Sequence, residues 1–583
     1  MGRIPRAKRQ ARRRAQPEGG VVLNHHASNN YQVIVAGGGP VGMTVAIELA
    51  SRGISTLVCE PRAREDYAVA RTNLTNARSM EHFRRLGIAD TLRANDPVPS
   101  NVIRDLTFST RANGKIILNV EGAYEWRERL PIASEVPEWA PFQAIEKTLR
   151  DKLHEVASAT FLPHSIIVDF VQDERGVEVT YQGPDGVRTA GASYLIIADG
   201  AQSELRKKLN LRMLGETLFH NSSWHFRSPA LTKLFAKTQL SSMTFFLNDD
   251  AYGDLIVPQS AEDHWVYLIS PIPEGLDPDD WPTVRNMLFR SIGEEFEILD
   301  QVGSYWGSHS RMAPTFNFGR AFLIGDAAHL TSPFGGFGMN LGIGDAADLG
   351  WKIAAMLDGW GGPRLLETYT LERREVANFV IQGSAHNNKV WGKALVRPHM
   401  EEDSERGDKV RAEVRDFVIR EKTRQFRSLG AQLGYRYTAS PIVVSDGTEL
   451  PPLEYGEYQA SAAPGCRAPH LWLEDGSSLF DHFGAGFCLL KTDPAAHSAP
   501  IERAAAAVGM PLKVLELSSD AIRALYERSL VLIRPDQHVA WRGDAPPADS
   551  AALVNIVRGS AACRDMQNTA IPETALRDRL VQA

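Results

Sequence analysis

A glycine-rich turn between two apolar segments constrains the fold of this chain most strongly. Residues 37–42 read Gly-Gly-Gly-Pro-Val-Gly, in the spacing G-x-G-x-x-G, between the apolar run YQVIVA and a helical pattern. A second apolar run, ISTLVCE, ends at Glu60. Strand, tight turn, helix and strand in this order predict the first half of a Rossmann-type α/β unit that binds an adenine dinucleotide.

Each glycine of this turn has its own predicted role. Gly37 allows the backbone angles of the turn, Gly39 lets a pyrophosphate approach the main chain, and Gly42 lets the helix and strand pack closely. The pyrophosphate would lie at the positive N-terminus of the helix. Glu60 would accept hydrogen bonds from the ribose hydroxyls and would disfavour a 2′-phosphate, so NADP fits poorly here. The turn alone leaves NAD and FAD both open.

The pattern beyond the turn predicts a mixed α/β (α+β) protein built from several units. Apolar periodicity predicts helices at 76–93 and 143–157, and three short β-like runs after residue 216 indicate an antiparallel sheet. The predicted units are a disordered basic tail (1–29), a cofactor-binding domain in two parts (30–215 and 305–400), a substrate-binding β-sheet domain (216–304), a helical linker (401–450) and a third domain (451–583).

Charge and cysteine usage exclude several classes of protein. A net charge of −7 over 583 residues argues against a nucleic-acid binder. No apolar run is long enough for a membrane span. The four cysteines contain no C-x-x-C pair, which indicates reduced thiols in a cytoplasmic protein and neither a disulfide framework nor a metal site.

A second glycine-rich segment resembles a family motif. Residues 319–329 read GRAFLIGDAAH, and residues 332–340 read SPFGGFGMN before a helical pattern. Together they resemble the second flavin-binding motif of the class A flavoprotein monooxygenases, the group that includes para-hydroxybenzoate hydroxylase and phenol hydroxylase. The string DGAQSELR at 199–206 resembles a third motif of that family. The resemblance implies FAD as the cofactor.

The resemblance also implies roles for individual residues. Asp326 would accept a hydrogen bond from a ribityl hydroxyl, and amides near the start of a helix would stabilise negative charge on reduced flavin. Asp199 would serve the pyrophosphate region. The remaining cofactor-binding candidates implied are Arg71, Gln143, Gly336, Gly338, Met339 and Asn340.

The implied activity is hydroxylation of a phenolic or polyketide-like aromatic substrate. Relatives of this class take hydride from NADPH or NADH docked transiently, and transfer one atom of O₂ through a flavin C4a-hydroperoxide. A Baeyer–Villiger or epoxidising reaction on a polycyclic substrate stays open, as does a flavin-retaining binding or scaffold protein. Whether the chain forms a homodimer stays open.

Two residues are candidates for the reacting centre. Asn73 stands where some phenol hydroxylases carry a base, which asparagine cannot be, and Pro333 lies within the second motif. Five further aromatic and histidine residues are expected to be core or surface residues and not catalytic: His220, His225, Tyr252, Tyr267 and His309. The last domain resembles the thioredoxin-like tail of phenol hydroxylase relatives; without C-x-x-C it should have no dithiol activity.

Overall fold

The structure is a computed structural model that describes residues 31–67, 74–98, 105–123, 129–238, 241, 243–248, 254–390 and 395–561. The basic segment 1–29, expected to be a disordered tail, lies outside these residues. Among the described helices, none is both long and apolar enough to cross a lipid bilayer.

A largely parallel six-stranded sheet forms the cofactor-binding half. Its order is β17 (Asn317–Phe318), β18 (Ala321–Leu323), β11 (Tyr194–Ile197), β1 (Val33–Ala36), β2 (Thr56–Cys59) and β7 (Ala159–Leu162). β1 runs parallel to both of its neighbours. The glycine turn therefore follows the carboxyl end of a central strand, where open α/β sheets bind ligands. The predicted Rossmann-type arrangement is confirmed.

The second large sheet has eight strands and mostly antiparallel pairing, as predicted. Its order is β19 (His329–Leu330), β16 (Leu299–Met312), β12 (Leu214–Arg227), β15 (His264–Ile269), β14 (Leu255–Pro258), β13 (Met243–Phe246), β4 (Leu106–Ser109) and β5 (Ile116–Val120). β13 runs parallel to β4. Three strands come from outside residues 216–304, and β16 extends past residue 304, so the sheet recruits strands that local pattern did not assign to it.

Two small sheets and fourteen named α-helices accompany the two large sheets. The small sheets pair β8 (Ile166–Gln172), β9 (Val177–Gly183) and β10 (Gly186–Ala192), and β3 (Leu74–Thr75) with β6 (Glu138–Trp139). The helices are α1 (Pro40–Ala50), α2 (Ala77–Arg85), α3 (Ala89–Asn95), α4 (Phe142–Glu155), α5 (Glu204–Lys208), α6 (Pro229–Phe235), α7 (Trp281–Ile292), α8 (Phe337–Leu357), α9 (Glu367–Lys389), α10 (Glu405–Phe417), α11 (Leu429–Leu433), α12 (Ala499–Ala507), α13 (Asp520–Tyr526) and α14 (Ser550–Val557).

The helical stretch predicted over residues 76–93 is helical, but it forms two helices, α2 and α3. Gly87 between them has a φ of +68°, which a right-handed helix cannot continue through. The amide of Ile88 donates back to the carbonyl of Phe83 at 2.8 Å, which closes the end of α2. The glycine decides the break, although the apolar stripe runs across it.

Helices α1 and α8 pack closely because glycines remove side chains from their interface. A Cβ added to Gly342 would lie 2.5 Å from the side chain of Val41, and one on Gly350 would lie 2.3 Å from the side chain of Glu48. Neither distance is possible for a real side chain without movement. The two helices that follow the two glycine-rich segments are thereby fixed against each other.

The C-terminal domain is a four-stranded sheet with the order β21 (Leu512–Glu516), β20 (Phe487–Lys491), β22 (Leu530–Ile533) and β23 (Val539–Gly543). β20 runs parallel to β21 and antiparallel to β22. This arrangement is thioredoxin-like, as the resemblance implied. Buried ion pairs join this domain to helices α8 and α9: Arg534 contacts Glu372 of α9 at 2.6 Å and Asp348 of α8 at 3.0 Å.

Candidate active site

The first glycine turn borders open space at one position only. Gly37 has a φ of +110°, and a Cβ there would lie 2.4 Å from the carbonyl oxygen of Ala198. A Cβ on Gly42 would lie 2.0 Å from the carbonyl oxygen of Gly37. A Cβ on Gly39 would have no described heavy atom within 4 Å. Gly37 and Gly42 therefore serve the turn itself, and Gly39 leaves room for a ligand to approach the main chain.

Glu60 lies buried beside this turn. Its carboxylate accepts hydrogen bonds from the amide of Gly38 at 2.7 Å and from Nε of Arg62 at 2.6 Å. Arg62 also pairs with Glu146 of α4 at 2.8 Å. An ionised carboxylate has about four acceptor positions, so Glu60 retains capacity for a ribose hydroxyl. The protein holds it in place before any ligand arrives.

The second glycine-rich segment turns sharply between β18 and α8. A single 3₁₀ turn, Gly325–Ala327, follows β18 and carries Asp326 half-buried. Gly335 and Gly336 have φ angles of +119° and +69°, in the left-handed region that favours glycine. Two successive left-handed residues redirect the chain into α8, which packs against the turn of Asp326: a Cβ on Gly342 would lie 3.1 Å from Cα of Gly325.

The N-terminus of α8 presents free main-chain donors. Among the described residues, no side chain caps the helix at Gly336. The first-turn amides, including those of Gly338 and Met339, therefore lack an intrahelical acceptor. A Cβ on Gly338 would have no described heavy atom within 4 Å. These donors and the positive end of the helix suit a flavin ring that becomes negatively charged on reduction.

The side chain of Asn340 is used inside the protein. Its Oδ1 accepts a hydrogen bond from the amide of Asn76, and its Nδ2 donates to the carbonyl of Leu74, both at 2.9 Å. A third bond joins Nδ2 to the carbonyl of Gly336 at 2.6 Å. Asn340 thus ties the start of α8 to β3 and to the N-cap of α2.

The third motif meets the second through Arg206. This buried side chain donates to the carbonyl of Ala327 at 2.9 Å and to that of Ala201 at 3.2 Å. Asp199 accepts a hydrogen bond from the amide of Leu205 through Oδ2, while its buried Oδ1 has no partner among the described residues. Burial raises the pKa of Asp199. An unsatisfied carboxylate oxygen at this position points to a ligand group that donates to it.

A buried network behind the second segment was missed by sequence reasoning. Asp345 of α8 accepts hydrogen bonds from the amide of Gly325 at 3.2 Å, the ring of His329 at 2.6 Å and Nε of Arg373 at 2.7 Å. Burial alone would raise the pKa of Asp345, but the charges of His329 and Arg373 outweigh it and hold that pKa below its usual value. The ionised carboxylate fixes the turn that carries Asp326.

A sequence signal for this network does exist. Asp345, Asp348 and Lys352 interrupt the apolar pattern of α8 at spacings that place them close together on the helix surface. All three are buried. Charges inside an otherwise apolar helix indicate a buried, paired network, although the residues that pair with them cannot be read from the same segment.

An aromatic face of the eight-stranded sheet meets the loop that contains Pro333. Pro333 is half-buried, and the ring of the next residue, Phe334, lies 6.0 Å from that of Phe219 on β12. Farther along the same face, Phe108 and Phe245 stack with centroids 4.8 Å apart and an interplanar angle of 13°. Phe426 covers this pair, with its ring 6.5 Å from Phe108 and 6.1 Å from Phe245, so this part of the apolar face is fully buried.

Several candidate residues lie outside this geometry. Arg71, Asn73 and Tyr252 fall outside the described residues, so their roles stay predictions. Gln143 is exposed in the first turn of α4.

The other aromatic and histidine candidates lie at varied depths in the sheet. His220 is exposed and stacks on Tyr305 with centroids 5.1 Å apart. Burial lowers the pKa of His225 to about 4. Tyr267 is fully buried and donates to Asp254. His309 is half-buried, with Nδ1 3.1 Å from the hydroxyl of Thr217.

Family models match most of the chain. A model described as "FAD binding domain" matches residues 30–384, and one described as "Aromatic-ring hydroxylase, C-terminal" matches residues 461–559. The first match alone covers more than half of the sequence and contains both glycine-rich segments.

Individual relatives agree with these models. An FAD-dependent monooxygenase of Penicillium oxalicum is 30% identical over 84% of this chain and 100% of its own length. Aklavinone 12-hydroxylase of Streptomyces purpurascens is 28% identical over 88% of this chain and 96% of its own. The structure of RebC with bound 7-carboxy-K252c has a TM-score of 0.85 and 34% identity, covering 92% of this chain and 100% of RebC.

Proposed function

We propose that this chain, which belongs to the FAD-dependent aromatic-ring hydroxylases, adds one oxygen atom to a phenolic or polyketide-like polycyclic aromatic substrate. FAD is its cofactor, and the protein is a flavin-dependent monooxygenase. The proposal extends this to O₂ and NAD(P)H as the co-substrates. The observation that carries it is the contact of the second glycine-rich segment with the apolar face of the second sheet, where the ring of Phe334 lies 6.0 Å from that of Phe219.

The residues present fit FAD. Gly39 and Gly338 each leave space that a side chain would fill, and Asp199 has a buried carboxylate oxygen without a partner among the described residues. Glu60 and Asp326 would hold the adenosine ribose and the ribityl chain. Bound FAD supplies the transfer of electrons from NAD(P)H and the activation of O₂. The amides that open α8 would stabilise negative charge near the flavin ring.

The protein's own contribution on the substrate side is orientation and exclusion of water. The aromatic side chains where the sheet meets the loop, Phe219 and Phe334, would hold a planar ring by apolar contact and stacking. In the net reaction one ring C–H becomes C–OH, and the second oxygen atom leaves as water with the two electrons of NAD(P)H. A dry, apolar surface favours oxygen transfer to the ring over loss of the oxidant to water.

A screen of phenols and polycyclic phenols tests this function. Purified holoenzyme should oxidise NAD(P)H faster with an acceptable substrate, and the product should gain one oxygen atom on its ring by mass spectrometry. A lactone or epoxide product would favour the Baeyer–Villiger or epoxidising reaction. Colourless protein that takes up no FAD would contradict every one of these reactions.

Two further properties belong to the same proposal. The three described cysteines, Cys59, Cys466 and Cys488, are buried free thiols, which fits a reducing compartment such as the cytoplasm. A homodimer is the assembly to be tested by sedimentation of the holoenzyme.

A further inference from the structure

Two buried polar side chains on the eight-stranded sheet have no hydrogen-bond partner in the part of the chain that the structure describes. Asn221 of β12 is 0% exposed, and among the described residues neither its Oδ1 nor its Nδ2 is paired. Ser308 of β16 is 1% exposed, and its hydroxyl is likewise unpaired in the described part of the chain. Buried polar atoms in native proteins nearly always have a partner, so a cluster of three without one requires an explanation.

The strand register places these atoms on the face that meets the loop of Pro333. Asn221 lies two residues after Phe219 on β12, so their side chains share one face. The ring of Phe219 packs against Phe334 on this face. Phe219 pairs with Ser308 and Asn221 with Trp306 across the two antiparallel strands. Ser308 is therefore the diagonal neighbour of Asn221 on the same face.

The neighbours of Asn221 on this face give it no partner. Trp306 lies directly across from it, and its indole Nε1 donates to the hydroxyl of Ser223 at 2.9 Å. Beyond them, Phe334, Leu255, Val257 and the stacked pair Phe108 and Phe245 belong to one buried apolar cluster on this side of the sheet. A leucine at position 221 would satisfy such surroundings better than an amide does. Keeping an unpaired amide there lowers the stability of the free protein. Buried polar groups that lack a partner in the free protein occur where a ligand completes their hydrogen bonds.

We propose that Asn221, with Ser308, selects the substrate by hydrogen-bonding to two neighbouring ring hydroxyls. This inference rests on the proposed function. One carboxamide can bind such a pair, since one hydroxyl donates to Oδ1 and the other accepts from Nδ2, as asparagine binds a donor and an acceptor on the edge of adenine. The hydroxyl of Ser308 can donate to the accepting oxygen as well. The preferred class is a fused aromatic ring system with two neighbouring hydroxyl groups.

Asn221 is a specificity-determining residue in this account and not a base. An amide cannot remove a proton from a phenol at neutral pH. Its bonds would fix which edge of a planar ring system lies against the sheet, and so which carbon faces the flavin. Apolar stacking alone leaves a flat ring free to slide or turn over.

The test compares two planar probes in the holoenzyme. 2,3-Dihydroxyanthraquinone carries two adjacent hydroxyl groups that are remote from its carbonyls, and 9,10-anthraquinone lacks the hydroxyls. Binding is followed by the change in flavin absorbance. Wild-type enzyme should bind the dihydroxy probe about ten times more tightly, because an unpaired polar site discriminates strongly against a ligand that lacks the matching group. Asn221→Leu should lose most of this preference and bind FAD normally.

Two further variants keep the result decisive. Ser308→Ala removes only one atom and should reduce the preference about threefold, and it serves if Asn221→Leu fails to fold. Ser222→Ala, on the opposite face of β12, should change nothing. Equal binding of the two probes by wild-type enzyme, or no binding of either, overturns the proposal. So does an Asn221→Leu variant with a higher melting temperature and an unchanged preference, since the amide would then hold a structural water only.

Failure of this inference differs from failure of the proposed function. An enzyme that still hydroxylates a phenol but shows no probe preference refutes only the role of Asn221. An enzyme that inserts oxygen into no aromatic compound, whatever its probe binding, refutes the function itself.

Discussion

The cofactor side of this site, around the second glycine-rich segment, and the proposed substrate side, on the eight-stranded sheet, are built in opposite ways. Around the second glycine-rich segment the protein pairs its own buried charges, so Asp345 satisfies Gly325, His329 and Arg373 at once. On the facing sheet, Asn221 and Ser308 are left without partners among the described residues. A site that binds one cofactor can have its supporting hydrogen bonds formed in the free protein. A surface that discriminates between substrates would leave donors and acceptors unpaired until the right substrate binds.

Asp345→Asn should have the largest effect, because Asp345 is the shared partner in the buried charge network that supports the cofactor side. The variant keeps the shape of the side chain but leaves Arg373 as a buried charge without its counter-ion. Removing one partner of such a pair costs about 3–5 kcal/mol. Thermal unfolding and the rate of FAD release should both show it. The control is Asp358→Asn at the exposed C-cap of α8, which should behave as wild type. An Asp345→Asn enzyme as stable as this control would contradict the account.

Acid should loosen the attachment of the C-terminal domain through Glu81 of α2, which pairs with Arg78 of the same helix and with Arg467 of that domain. Burial alone would raise the pKa of Glu81, but the charges of Arg467 and Arg78 outweigh it and lower the pKa from 4.5 to about 2. The folded pKa is the lower one, so this stability is complete above pH 4.5 and is lost as pH falls toward 2. A shift of this size corresponds to about 3 kcal/mol. Glu81→Gln should flatten the dependence of unfolding on pH in that window; an unchanged slope would contradict the assignment.

Gly39→Val tests whether the space at Gly39 is needed for the cofactor and not for the packing of the protein. The backbone at Gly39 is extended, with φ −73° and ψ 175°, and its missing side chain would point into open space. The apoprotein should therefore fold normally, while FAD affinity falls about a hundredfold, or roughly 3 kcal/mol. Gly42→Ala is the contrasting variant, because its Cβ would meet the carbonyl of Gly37 and disturb the fold as well. Equilibrium dialysis of FAD and apoprotein melting distinguish the two. Normal FAD binding by Gly39→Val would place the cofactor elsewhere.

Asp326→Ala addresses the same side with a smaller change. Loss of a hydrogen bond to a ribityl hydroxyl from a charged acceptor should weaken FAD binding by about 1.5–3 kcal/mol without unfolding the chain. Flavin content after gel filtration reports it. Unchanged flavin content would refute the role of Asp326.

Phe245→Leu should have the smallest effect and should be confined to the substrate side. Losing the stacked ring opposite Phe108 should raise KM severalfold, since an aromatic pair contributes about 0.5–1.5 kcal/mol beyond its buried area. FAD affinity should stay unchanged. Phe296→Leu, in the cluster on the other side of the sheet, is the control. A loss of flavin in Phe245→Leu but not in Phe296→Leu would erase the distinction between the two sides.

The sequence allowed good prediction of one side and poor prediction of the other, for a physical reason. Gly37, Gly39, Gly42 and Glu60 lie in one short segment, and each is required by local backbone geometry or by the strand that follows. The parallel pairing of β4 with β13 joins segments far apart in the chain, which no local periodicity reveals.

Buried polar residues were harder still to predict. Asp345 lies in a helix whose pattern reads as apolar, and its partners come from β19 and α9. Asn221 belongs to no motif, and only the strand register shows which way it faces. Gly87 shows the converse, because it is a local signal for the end of α2 within a stretch whose apolar stripe continues past it.

The central claim is that this flavin site delivers one oxygen atom to an aromatic ring. Holoenzyme should be incubated with NAD(P)H, isotopically labelled dioxygen and the best phenolic substrate from the screen, and the products analysed by mass spectrometry. One labelled atom in the ring hydroxyl, with NAD(P)H consumed in equal amount, is the predicted result. Label found only in hydrogen peroxide, with every aromatic compound recovered unchanged, would contradict it.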